Sequence, residues 1–228
     1  MHFSLTTTLP LLSTLLSLTT AQQSTDANGC STFEPTSAFQ IYSDLPDLSV
    51  DLTIPNYSNL TNGTTNSTRR LSSRSKARSR PKSRRSAHIP FTFYVSQDAG
   101  NTNQQDLVVA FAGLPCGGPG PFSFEFNFQP QSAYFAQGQG QINMFRVDTL
   151  ALGDAPTWND IEPLTGSLVG TFELPAVGSE EPALLFLNQL VCQDQLVLRF
   201  GISRYSDEGG SVAYINAGGM GLRERNGC

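Results

Sequence analysis

The sequence has no run of eighteen or more consecutive apolar residues, so neither a membrane-spanning helix nor stable membrane insertion is expected. Histidine is nearly missing. Only His2 and His88 occur, one in the N-terminal leader and the other at the edge of a basic tract. A Ser-His-Asp or Cys-His mechanism in the folded part therefore lacks its base, and a His-ligated zinc lacks its ligand. The four cysteines include no CxxC pair, which removes the usual zinc pattern as well. No metal and no cofactor are expected. Charge is scarce too: 14% of the 228 residues are charged against 39% hydrophobic, too apolar a balance for a disordered acidic chain. Nine of the fourteen Lys and Arg fall between Arg69 and Arg85, leaving five against nineteen acids elsewhere.

What is present begins with an address. Residues Leu5 to Leu18 are mostly Leu, Ser and Thr and lead to the small residues Thr19-Thr20-Ala21, so residues 1–21 read as a signal peptide cut before Gln22. The run is too short, too rich in Ser and Thr and too interrupted at Pro10 for a membrane anchor. Four N-glycosylation acceptors, Asn56, Asn59, Asn62 and Asn66, follow within a short stretch. Both features send the chain to the secretory route, and a secreted protein of the extracellular space or cell wall is expected. In that oxidising compartment Cys30, Cys116, Cys192 and Cys228 form an even set that favours two disulfides, with all connectivities open.

Residues 56–88 are dominated by Asn, Ser, Thr and Arg and cannot bury enough surface to offset the entropy of ordering them. They read as an exposed, glycosylated, basic disordered insertion. Its Arg/Ser run carries no interleaved aromatics, and behind a signal peptide it is expected to adhere to anionic wall polymers or stay solvated rather than bind nucleic acid. Arg69-Arg70 and Arg84-Arg85 are dibasic pairs of the type that kexin-like proteases cut in extended segments.

Elsewhere the pattern is strand-like. Phe122, Phe124, Phe126 and Phe128 alternate with Ser123, Glu125 and Asn127, as a half-buried strand requires, and Phe91, Phe93 and Val95 do the same. Leu196, Leu198, Phe200 and Ile202 repeat the pattern, and shorter strands are expected at 107–111, 142–147, 168–174 and 212–215. The alternation slips within Ile142 to Val147, which predicts a β-bulge there. Ala183 to Val191 fits either strand or helical spacing. Ala38 to Ile54 is mildly strand-like. The expectation is an all-β, antiparallel sandwich of jelly-roll-like form: one domain with an N-terminal segment at 22–37, first strands at 38–55, the insertion at 56–88 and the main sandwich at 89–228.

Four features in order give the chain a resemblance to a family. Leu114-Pro115-Cys116 precedes the Phe-alternating strand, Gly138-Gln139-Gly140-Gln141 leads into Ile142 to Val147, Thr157-Trp158-Asn159-Asp160 is followed by Pro163, and Cys192 precedes Leu196-Val197-Leu198-Arg199-Phe200. With the closing Gly218-Gly219-Met220-Gly221-Leu222, this order resembles the fungal But family, labelled the ubiquitin 3 binding protein C-terminal domain. The resemblance implies a secreted β-sandwich, a Cys116–Cys192 disulfide that leaves Cys30 for Cys228, and a structural corner at the Thr-Trp-Asn segment. Its label points to a ubiquitin-type partner, but that machinery is cytosolic, whereas the leader and sequons direct this chain outward.

Chemistry without histidine can still come from paired carboxylates, which hydrolyse glycosides. Asp154, Asp160, Glu162 and Glu173 would be the candidates, set against their plainer use as turn formers and solvated faces. Asp98 to Asn103 offers oxygen ligands for calcium but lacks a following acidic clasp and reads as a hairpin turn. Trp158, the sole tryptophan, could stack on a sugar ring or lock a loop against the core. The leading expectation is a non-enzymatic glycoprotein module for adhesion or carbohydrate association, with cell-wall polysaccharide as its partner. The alternative is a secreted glycoside hydrolase.

Overall fold

The computed structural model describes residues 23–25, 31–52, 91–116, 122–128, 134–148, 155–174, 183–191, 193–205, 207–216 and 220–224. The leader, the four sequons, the insertion with its dibasic pairs, Asp154, and Cys30, Cys192 and Cys228 lie outside them.

Strands are numbered along the chain. The smaller sheet has the order β1 (Gln23–Thr25), β2 (Ser31–Phe33), β14 (Met220–Glu224), β7 (Phe122–Phe128), β11 (Ala183–Leu190). The larger has the order β10 (Thr165–Glu173), β9 (Gln141–Val147), β12 (Gln195–Ile202), β6 (Thr102–Ala112), β5 (Phe91–Asp98), β13 (Gly210–Asn216), β8 (Tyr134–Gly138), with β3 (Ser37–Tyr42) on β6 and β4 (Ser49–Asp51) on β3. The chain crosses between sheets repeatedly, and the pairings are antiparallel. This is an all-β antiparallel sandwich. Among the described residues no helix is long and apolar enough to cross a membrane.

The alternation in β7 is the reason the sheets meet. Phe122, Phe124 and Phe126 project from one face and are buried. Phe126 meets Phe93 edge-on at 5.3 Å, and Phe124 lies 5.4 Å from Phe200, so rings of the smaller sheet insert between rings of the larger. Each such ring contributes on the order of 3–5 kcal/mol relative to alanine.

A second, smaller core lies on the opposite face of the larger sheet. Phe39, Ile41, Val108, Ala110, Val147 and Val197 turn outward there and are capped by Ile161, with Trp158 and Leu164 packed at the margin. The larger sheet is therefore covered on both sides at this end, and its central strands β6 and β12 read as nearly continuous apolar runs.

One detail departs from the sequence reading and two refine it. Within the N-terminal segment read at 22–37, β1 and β2 extend the smaller sheet and β2 pairs with β14. The bulge expected in 142–147 is absent: β9 runs in continuous register with β12, and the shifts sit in the partner β10 between Thr165, Leu168 and Gly170. Ile142 and Met144 face the main core while Val147, an odd step away, faces the second core, so two cores on one strand imitate a slip. The ambiguous stretch 183–191 supplies a strand, and a register shift between Leu187 and Gln189 explains its imperfect alternation.

Candidate functional site

Tyr94, Ser96 and Asp98 alternate along β5 with the core residues Phe93 and Val95, so they point away from the main core. On the neighbouring strands Ser211 precedes the buried Val212, and Gln137 follows Ala136, which packs on that core. These side chains line a groove of about 590 Å³, and Gln105 of β6 and Asp44, just past the end of β3 that pairs with it, line it on the β6 side. Its floor between β13 and β8 is backbone: a Cβ on Gly210 would come 2.1 Å from the carbonyl oxygen of Gln139, and Gly138 has φ +66° with its missing Cβ 2.3 Å from the carbonyl oxygen of Gly209. Glycine is required at both places.

One end of the groove is the turn between β5 and β6. Asn101 and Asn103 take left-handed conformations at φ 58° and 47°, and Asn103 Nδ2 donates to Asp98 Oδ2 at 2.7 Å. The Gly100 amide donates to the carbonyl of Asp207 at 2.8 Å, joining this turn to the loop that enters β13. The stretch read as a hairpin turn is one. Among the described residues no three His, Cys, Asp or Glu side chains cluster as a metal site.

The groove is polar by construction. Among the described residues the side chains of Asp44, Tyr94, Ser96, Gln105, Gln137 and Ser211 have no hydrogen-bonding partner, so six donors or acceptors from four strands and a loop are free for solvent or ligand.

The Thr-Trp-Asn-Asp segment does something else. Thr157 donates to Asp160 Oδ2 through its amide at 2.9 Å and its hydroxyl at 2.7 Å, which starts the short helix α1 (Trp158–Ile161). The backbone bond and then the hydroxyl bond hold the Asp160 carboxyl below its ordinary value. Asn159 ties α1 to the loop before β4, its amide bonding the Pro46 carbonyl at 3.2 Å and its Nδ2 bonding Asp47 Oδ1 at 2.8 Å. The Arg199 guanidinium lies 4.3 Å from the Trp158 ring centroid. One face of that ring is thus occupied, and the side chain packs on the second core.

Arg199 is 2% exposed, in the middle of β12. Its Nε pairs with Asp106 Oδ2 at 2.7 Å, and Nη1 bonds both Glu162 and the Thr165 hydroxyl, the latter at 2.8 Å. Burial pushes the Asp106 carboxyl above its ordinary value against the pull of Arg199. Gly201 makes the room, since a Cβ there would stand 2.6 Å from Asp106 Oδ1.

No protein-family model and no curated protein matches this chain. Its chemistry has to be read from the groove and the corner themselves.

Of the candidate carboxylates, Asp160 is held by Thr157 and Glu162 by Arg199. Glu173 ends β10, whose nine residues put it ~26 Å from the Thr165 end where Glu162 lies. None of the three lines the groove. Trp158 belongs to the corner and not to the groove. Sequence reasoning missed Tyr94, Gln105, Gln137 and Ser211 as site residues; the readable trace was the polar half of the alternation in β5 and the glycines at 138, 209 and 210. It also passed over Arg199, a lone cation inside an apolar strand.

Cys116 is disulfide-bonded, and its partner lies outside the described residues.

Proposed function

We propose that this protein is a secreted, glycosylated β-sandwich module that associates with carbohydrate at the cell surface or in the wall, and that the groove over β5, β13 and β8 is where the saccharide lies. The observation that carries the reading is the set of unpartnered hydroxyl, amide and carboxylate side chains along one open groove. A polyhydroxylated ligand matches such a surface, because each sugar hydroxyl both donates and accepts and the flat ring face can rest on an aromatic such as Tyr94. Trp158 has no part in binding in this account. The leader, the sequons at Asn56, Asn59, Asn62 and Asn66, and the resemblance to the fungal But family support secretion. Pull-down on insoluble wall polysaccharides, followed by a glycan array, tests the reading: the wild type is retained and Tyr94→Ala and Gln137→Ala are lost to the supernatant. Equal retention of wild type and groove variants, or no retention of any, would overturn it.

The same reading takes Cys192 as the partner of Cys116. The Leu114 amide bonds the Asp194 carbonyl at 3.2 Å, which brings the chain two residues before Cys116 beside the chain two residues after Cys192. Closing a loop of this length stabilises by about 4 kcal/mol on the chain-entropy model. Peptide mapping of secreted material should recover the Cys116–Cys192 linkage; Cys116 joined instead to Cys30 or Cys228 would reject it.

A further inference from the structure

The groove has a sign as well as a shape. Two carboxylates, Asp44 and Asp98, stand on its rim, both exposed, and no Lys, Arg or His lines it. The loop that leads into β13 carries Asp207 and Glu208 outside the groove lining; their backbone carbonyls accept from Gly100 and from Gln97 Nε2 and so fix that loop beside the β5–β6 turn. The described arginines are committed elsewhere: Arg146 pairs with Asp148, Arg199 lies under α1, and Arg204 Nη2 donates to Gln104 Oε1. Arg223 stands on β14 of the smaller sheet.

We infer that the groove selects an amine-bearing saccharide, a glucosamine oligomer or partly deacetylated chitin-type polymer, over neutral and acidic glycans. The inference rests on the saccharide reading above and adds the charge of the ligand to it. An ammonium group held among hydroxyl and amide contacts reaches Asp44 or Asp98 as a charge-assisted hydrogen bond, whereas a uronate meets like charge at the same rim. Neutral sugars use the Tyr94, Gln137 and Ser211 contacts alone. The attraction is exposed and hence modest, and it weakens with salt.

The test compares affinities of the full secreted chain, near pH 5, for hexamers of glucosamine, N-acetylglucosamine and galacturonic acid. At that pH the amino group of the sugar is protonated. The glucosamine hexamer is expected to bind about five- to tenfold tighter than the acetylated one, as two exposed ion pairs allow, and the uronate is not expected to bind. The double variant Asp44→Asn, Asp98→Asn should erase the preference, bringing the glucosamine and acetylated hexamers to equal affinity; asparagine leaves Asn103 an oxygen to bond. Equal binding of both hexamers, each abolished by Tyr94→Ala, would overturn the charge selectivity and leave the saccharide groove standing. A preference that survives the double variant would overturn it too, since the attraction would then come from another acidic surface. Binding of none of the three would remove both readings.

Discussion

Arg199 is the residue on which the corner is assembled. It is buried with Asp106, reaches out to Glu162 and Thr165, and offers its flat face to Trp158. Its Nη2 has no partner among the described residues, so the cluster fixes orientation at some cost in stability. Asp106 adds to that cost, because a carboxyl whose folded pKa is raised contributes stability below its unfolded pKa that is lost as pH rises through the folded value. Arg199→Met would leave Asp106 buried without its cation and should destabilise by about 3–5 kcal/mol. Adding Asp106→Asn removes the stranded charge, and the double variant should regain at least half of that loss in a denaturant double-mutant cycle. Strictly additive costs would show that the two side chains are not coupled.

At the scale of elements, a four-residue helix is far too short to be stable alone, so α1 exists because its start is capped and its residues are tied to β12 and to the loop before β4. The cap is pH-dependent in a definite direction. Asp160 is held below the ordinary value of 3.8, so its contribution is complete above that value and is lost as pH falls through the lower folded pKa. Asp160→Ala should cost about 1 kcal/mol at neutral pH by urea denaturation, with the gap to wild type closing at strongly acidic pH. A gap of constant size would mean the carboxylate charge is not what caps the helix. The strands were legible in the sequence because alternation is a local signal: Phe122 to Phe128 announces both its conformation and its buried face. The corner was legible as a motif, but its meaning was not, because Asn159 bonds Pro46 and Asp47 while Trp158 and Glu162 meet Arg199, all remote in sequence. The groove was hidden for a similar reason. Its side chains occupy the polar half of each strand, the half that periodicity assigns to solvent without saying which faces converge.

For the whole molecule, the order of strands decides what the long basic insertion can be. Strands β1 to β4 precede it, yet β2 lies beside β14 in one sheet and β3 lies along β6 in the other. The chain on both sides of residues 56–88 therefore builds one sandwich. The larger sheet carries two surfaces of opposite use: one end is closed by the second core and the Arg199 corner, while the other leaves its polar face open as the groove. That division is the central claim, and amide chemical-shift mapping during titration with a glucosamine hexamer addresses it most directly. The account predicts shifts concentrated at Tyr94, Ser96, Gln137 and Ser211, with the Trp158 indole resonance unmoved. Shifts centred on Trp158 and absent from β5, β13 and β8 would contradict it.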